Sequence, residues 1–347
     1  MNTQAITTLS QRITSVEQLP KNLLDLDLVT PMPDECDDED RIENTVMAFR
    51  ANLVRHMGFE KALKEMARCH RMGRYRLDEP NCLLITGESG CGKSTLRRTY
   101  VNQYPRLELD DRTLIPVLHL ELPSQPTVKN VAERMLIQLG DPFAEKGSAE
   151  GKTARIVTLL KECGVELVIL DEFQHFVDRS SEKVEYKVAD WLKSVINDSK
   201  VPFVLMGLPR CHRILEVNEQ LRRRFLPRVS LHRFRIDIQD ERRQFFSVLK
   251  NLEKSLPLQS PSALCEKTVV PRIYYATHGV IDHTMKLISE SLNIALSEHR
   301  PTIDQDVLRR AFERVIWADA RDQDNPFHQA FKDRHLNRAG EPFYGYQ

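Results

Sequence analysis

Residues 82–95 read CLLITGESGCGKST. An apolar run, Cys82–Thr86, gives way to Gly87-Glu88-Ser89-Gly90-Cys91-Gly92-Lys93-Ser94, which fits G-x-x-x-x-G-K-[ST]. Average glycine and lysine usage puts a chance match in a chain of this size on the order of one in a hundred. The context narrows it further, because the run reads as a buried strand and the polar stretch from Lys93 as a helix. In such a strand–loop–helix the glycines let successive backbone N–H groups curl around phosphates. The helix presents its positive N-terminus, and Lys93 reaches the β- and γ-phosphates. Gly87, Glu88, Ser89, Gly90, Cys91, Gly92, Lys93, Ser94 and Thr95 are therefore the expected ATP-binding residues, with Ser94 on Mg²⁺.

A working phosphate loop needs an acid at the end of a neighbouring strand, and Leu167-Val168-Ile169-Leu170-Asp171-Glu172 supplies two. Alone, such a pair reads equally well as helix-capping acids; beside the loop it reads as Asp171 holding the Mg²⁺ shell and Glu172 polarising the attacking water. Further apolar runs, Ile115–Leu120 and Pro202–Gly207, alternate with helical segments at 127–139, 152–163 and 183–197, and Arg228–Ile236 alternates as a last strand would. The pattern predicts an α/β core with a parallel five-stranded sheet.

Working outward, residues 42–72 carry Val46, Phe49, Leu53, Val54, Met57, Leu63 and Met66 at helical spacing, broken near Gly58. Strand signals fade beyond Asp240 into helical ones as far as Trp317. The expected organisation is an acidic linker at 1–41, the nucleotide core with its helical lead-in at 42–238, a helical lid at 239–317 and a polar tail at 318–347. That tail carries Phe327, Phe331, Phe343, Tyr344 and Tyr346, which predicts a dock for a partner.

Composition limits the function. Lys plus Arg equals Asp plus Glu at 50 each, so any nucleic-acid binding has to come from local patches. Residues 1–40 hold nine acids against Arg12 and Lys21. The seven cysteines show no metal-like spacing and an odd count, as expected in a reducing compartment. The polar start and the lack of a long apolar stretch predict a cytoplasmic protein without a membrane partner.

After the fourth core strand, Asn218-Glu219-Gln220-Leu221-Arg222-Arg223-Arg224-Phe225 concentrates guanidinium groups and resembles the segment in which AAA+ proteins place the arginine that reaches a neighbouring subunit's γ-phosphate. Arg224, preceding Phe225, is the first candidate and Arg223 the second. Together with CLLITGESGCGKST, three segments make the chain resemble the TniB/TnsC family of bacterial transposition regulators, AAA+ P-loop ATPases functionally akin to MuB. They are LELPSQPTVKNVAERMLIQLGDP, DEFQHF and PFVLMGLPRCHRILEVNEQLRRRF, and the similarity spans about residues 30–316. The resemblance implies a parallel sheet under an α-helical lid and an ATP-dependent ring or helical oligomer on double-stranded DNA. It also implies a target selector of the TniQ type, alone or with an RNA-guided complex, and a DDE transposase of the TnsB type.

Two departures predict slow hydrolysis. Leu208 stands where a polar sensor is usual, and GVIDHTMKL (Gly279–Leu287) lacks the sensor arginine, leaving Lys286 or His283. Candidate DNA contacts are Thr127 and Lys129 at a capped helix start, where the family places a DNA-facing loop, and Lys183 and Lys187 one turn apart. His175, beside the two acids, reads either as a nucleotide sensor or as packing against Phe173 and Phe176, with packing favoured. The competing reading is a signalling or defence scaffold that assembles on ATP without DNA.

Overall fold

The computed structural model describes residues 38–178 and 182–346. The acidic segment predicted at 1–41 lies outside the described residues as far as Asp37, and the core below belongs to the unit Thr45–Gln347.

Helices α1 (Asp38–Ala51) and α2 (Met57–Gly73) precede strand β1 (Leu83–Gly87) and α3 (Lys93–Val101). A hairpin of β2 (Leu107–Glu108) and β3 (Thr113–Leu114) leads to β4 (Val117–Glu121), α4 (Val128–Leu139) and α5 (Ala149–Glu162). Then come β5 (Leu167–Asp171), α6 (His175–Asp178), α7 (Glu182–Ser199), β6 (Phe203–Gly207), α8 (His212–Glu216), α9 (Glu219–Arg224) and β7 (Arg228–Leu231). Helices α10 (Gln239–Ser255), α11 (Val270–Thr277), α12 (Ile281–Ser297) and α13 (Gln305–Val315) complete the order.

The sheet runs β4-β5-β6-β1-β7 with every neighbouring pair parallel. Strands β1, β5 and β6 are buried at every residue, which is why they read as unbroken apolar runs rather than alternating ones. One face packs on Met135, Leu136, Ile156 and Leu192 of α4, α5 and α7, the other on Phe59, Met66, Leu96 and Tyr100 of α2 and α3. Parallel register sets Glu121 beside Asp171, so the carboxyl ends of the strands open onto one edge, where ligands of open α/β sheets bind.

The last strand is shorter than its alternating sequence predicts. After Leu231 the chain leaves the sheet, and the N–H of Phe234 donates to the Gly279 carbonyl at 2.9 Å, fastening it to the lid. The hairpin β2–β3 has no counterpart in the sequence reading; its strands hold two residues each, too few to show periodicity.

Three of the five tail aromatics are not free for a partner. Phe327, Phe331 and Phe343, with Leu336, are buried in the lid's own apolar core, and Phe343 stacks on His278 at 5.2 Å and 16°. Tyr344 stays exposed. His278 is buried with neither ring nitrogen hydrogen-bonded, among Phe343, Tyr346, His283 and His335. Burial, then the charges of Arg233, His335 and His283, push its pKa down to about 3. The unfolded chain therefore takes up this proton first as pH falls. Stability is fully present above the ordinary histidine value and declines by up to about 1.4 kcal/mol per pH unit as pH drops from ~6.5 toward 3. Urea midpoints at pH 7.5 and 5.0 should show this slope, and His278→Asn, which tolerates the left-handed backbone here (φ 54°), should flatten it. An unchanged slope in that variant would rule out this histidine as its source.

Candidate nucleotide site

The phosphate loop is built where β1 ends. Gly92 caps α3 with φ at 91°, a conformation open to glycine and strained for other residues. The Lys93 Nζ donates to the carbonyls of Gly87 at 2.7 Å and Glu88 at 2.9 Å, so the ammonium lies curled inside its own loop. Burial pushes its pKa down, opposed by nearby Cys91, Glu172 and Asp171. The lid closes over the loop: the N–H of Asp282, at the start of α12, donates to the Gly90 carbonyl at 3.1 Å.

Between loop, lid and the α1–α2 connection lies a cleft of about 530 Å³. Its lining includes the apolar Leu53, Val54, Ile281 and Met285 and the polar Ser89, Lys93, Ser94, Thr95 and Glu172. Such a mixed lining suits a ligand with an apolar base and a charged triphosphate. The break between α1 and α2 falls at 52–56, and these residues serve as a wall of the cleft.

Asp171 ends β5 at 1% exposure. Its Oδ1 accepts the N–H of Glu172 at 2.9 Å, and its Oδ2 accepts from Arg97 Nε at 2.8 Å. Arg97 also lies 3.7 Å from Glu121, one strand over. A hydroxyl and carboxylates suit a hard, oxygen-seeking cation, and among the described residues no group of three or more His, Cys, Asp or Glu forms a metal cage of its own. The donor set fits Mg²⁺ held mainly through nucleotide phosphates, with Ser94 and Asp171 as the residues that would hold it. Arg97 and Glu121 escaped the sequence reading because neither belongs to a motif; the β4–β5 register and the first turns of α3 bring them in.

Glu172 holds a left-handed φ of 57°, rare outside glycine and typical of strained functional turns. It accepts a hydrogen bond from Gln174 Nε2. Phe173 and Phe176 meet edge to face at 5.4 Å. The His175 ring is half-buried, with Nε2 4.0 Å from Glu172 and Nδ1 3.6 Å from Asp178.

Of the two sensor substitutes, Lys286 lines the cleft and pairs with Asp282 at 2.7 Å, whereas His283 turns to Phe343 and Tyr346. The arginines separate by exposure. The Arg224 side chain is 13% exposed, 4.0 Å from Glu79, while that of Arg223 is 75% exposed and, among the described residues, paired with Glu219 one turn back. Thr127 caps α4 in a reciprocal box with Asn130, and both Thr127 and Lys129 are exposed, as is Lys187 on α7. The side chain of Lys183 lies outside the described residues.

The sequence model described as bacterial TniB protein matches residues 46–236, more than half of the chain. The chain belongs to the TniB family. Solved structures similar to this TniB-family chain include Cdc6p from Pyrobaculum aerophilum, with a TM-score of 0.55 at 16% identity over 76% of this chain and 69% of that one. The Aeropyrum pernix ORC1 protein in complex with DNA gives 0.54 at 14% identity over 78% and 69%. The Aeropyrum pernix ORC2 protein in its ADPNP–ADP complexes gives 0.50 at 14% over 72% and 67%. At such identities the likeness speaks for the fold alone, an AAA+-type α/β fold. A search of curated proteins returns no match. No helix among the described residues is long and apolar enough to cross a membrane.

Proposed function

We propose that this TniB-family chain is an ATP-dependent, DNA-binding regulator of transposition. In this reading ATP joins protomers into an oligomer on duplex DNA, and the oligomer links a TniQ-type target selector to a TnsB-type DDE transposase. The observation that carries it is that Ser89, Gly90 and Gly92–Thr95 of the loop line one cleft together with Glu172 and the lid residues Ile281, Asp282, Met285 and Lys286, in a chain of this family.

The residues divide the chemistry. Loop N–H groups and Lys93 bind the β- and γ-phosphates once the ammonium turns from the Gly87 and Glu88 carbonyls. Glu172 orients water against the γ-phosphorus and takes its proton. Mg²⁺, when bound at Ser94 and Asp171, neutralises phosphate charge. Arg97, released from Asp171, keeps Glu121 as its anionic neighbour. Duplex contact falls to the exposed α4 start, Thr127 and Lys129, and to Lys183 and Lys187 on α7.

Binding of random-sequence duplex, measured with and without a non-hydrolysable ATP analogue across salt concentrations, tests the reading. Nucleotide-dependent binding is expected, with log K falling against log salt at a slope of about −0.9 per phosphate contacted. Absent or salt-independent binding would favour a scaffold that assembles through protein contacts only.

A further inference from the structure

The turn after β5 is tied to the next strand by two bonds, and one of them passes through a side chain. The N–H of Phe173 donates to the Met206 carbonyl at 2.9 Å, a backbone tie. Gln174, only 3% exposed, makes the other: its Nε2 donates to the Glu172 carboxylate, and its Oε1 accepts the N–H of Leu208 at 3.1 Å. Gly207 leaves the room, since a Cβ there would stand 2.5 Å from Gln174 Oε1. His175 is 4.0 Å from the same carboxylate, beyond hydrogen-bond reach.

One buried amide thus has the acid at the phosphate cleft on one side and the end of β6 on the other. The side chain at that strand end, Leu208, is apolar and offers no polar contact. The Gln174 amide reaches the same place from the other direction, through the Leu208 backbone.

We propose that Gln174 is a positioning residue for ATP hydrolysis, fixing the Glu172 carboxylate against the end of β6 so that a shift of the Leu208 backbone is passed to the acid. This rests on the ATPase reading above. In that reaction the water oxygen bonds to the γ-phosphorus and the bond to the β–γ bridging oxygen breaks. ADP leaves with the electron pair, and the water's proton passes to Glu172. Gln174 acts through Glu172 by holding its carboxylate to one direction and coupling that direction to the sheet.

The test uses the full chain with duplex DNA. Nucleotide affinity is read by anisotropy of a fluorescent ATP analogue, hydrolysis by phosphate release, and folding by melting temperature. Gln174→Met keeps length and bulk and removes both hydrogen bonds. Its kcat should fall by about 10- to 100-fold through misplacement of the acid, with nucleotide Kd within about threefold and the melting temperature unchanged. Gln174→Asn, too short to span both partners, should lose kcat alone in the same way, and it decides the matter should the Met variant melt early. A Met or Asn variant with kcat within about twofold of the unaltered chain would reduce Gln174 to a space-filler and overturn the proposal. So would Kd weakening in step with kcat. Failure of the ATPase reading would look different, because the unaltered chain itself would then not hydrolyse ATP under any assembly condition.

Discussion

Glu172→Gln lowers ATP turnover by about 10²–10⁴-fold and leaves nucleotide affinity nearly intact. The geometry separates the two quantities. In the proposed reading, binding falls to the loop amides between β1 and α3 and to Lys93, whereas Glu172 lines the cleft from the turn after β5. Glutamine preserves the side chain's size and removes its ability to accept the water's proton. Because ATP then persists, the assembled form on duplex should also persist, visible as slowed dissociation in competition with unlabelled DNA. Lys93→Ala gives the complementary result, loss of binding itself, since no other cation of the loop reaches the phosphates. Single-turnover hydrolysis and equilibrium binding of the two variants check both halves. Unimpaired turnover in Glu172→Gln would remove this acid from the chemistry.

The parts of this molecule legible from sequence are those in which local pattern and tertiary role coincide. Strand, glycine loop and helix at 82–101 are contiguous, and each needs its own residue type. The unbroken apolar runs of β5 and β6 follow from burial on both faces. What stayed hidden depends on register across the sheet. Arg97 meets Asp171 across 74 positions of chain, and Gln174 meets Leu208 across 34. A faint signal for the second existed in the pairing of an apolar residue at the usual sensor position with a preceding glycine. The tail misled for another reason: Phe327, Phe331 and Phe343 follow neither helical nor strand periodicity, so nothing in their spacing tells burial on the chain's own lid from exposure to a partner.

Arg223→Ala lowers hydrolysis by the assembled protein about 10³–10⁵-fold, the range for loss of an arginine that stabilises charge on the transferring phosphoryl group from another subunit. Sequence alone favoured Arg224 through its place before Phe225. The fold argues otherwise, because the Arg224 carbonyl accepts the Cys82 N–H at 2.9 Å and its side chain is 13% exposed, turned toward Glu79. Arg223 projects at 75% exposure, tethered by an exposed Glu219 that a neighbour's phosphate can outcompete. Arg224→Ala should instead lower the melting temperature and reduce turnover much less. Mixing supplies the decisive control. In a head-to-tail assembly, Lys93→Ala subunits lend an intact Arg223 to the intact loops of Arg223→Ala subunits. An equal mixture should then recover roughly a quarter of wild-type activity, since half of the loops are intact and half of those meet an intact arginine. Recovery with Arg224→Ala in place of Arg223→Ala would restore the sequence-based order and require that buried side chain to swing out on assembly. No recovery in either mixture would mean that each chain completes its nucleotide site alone.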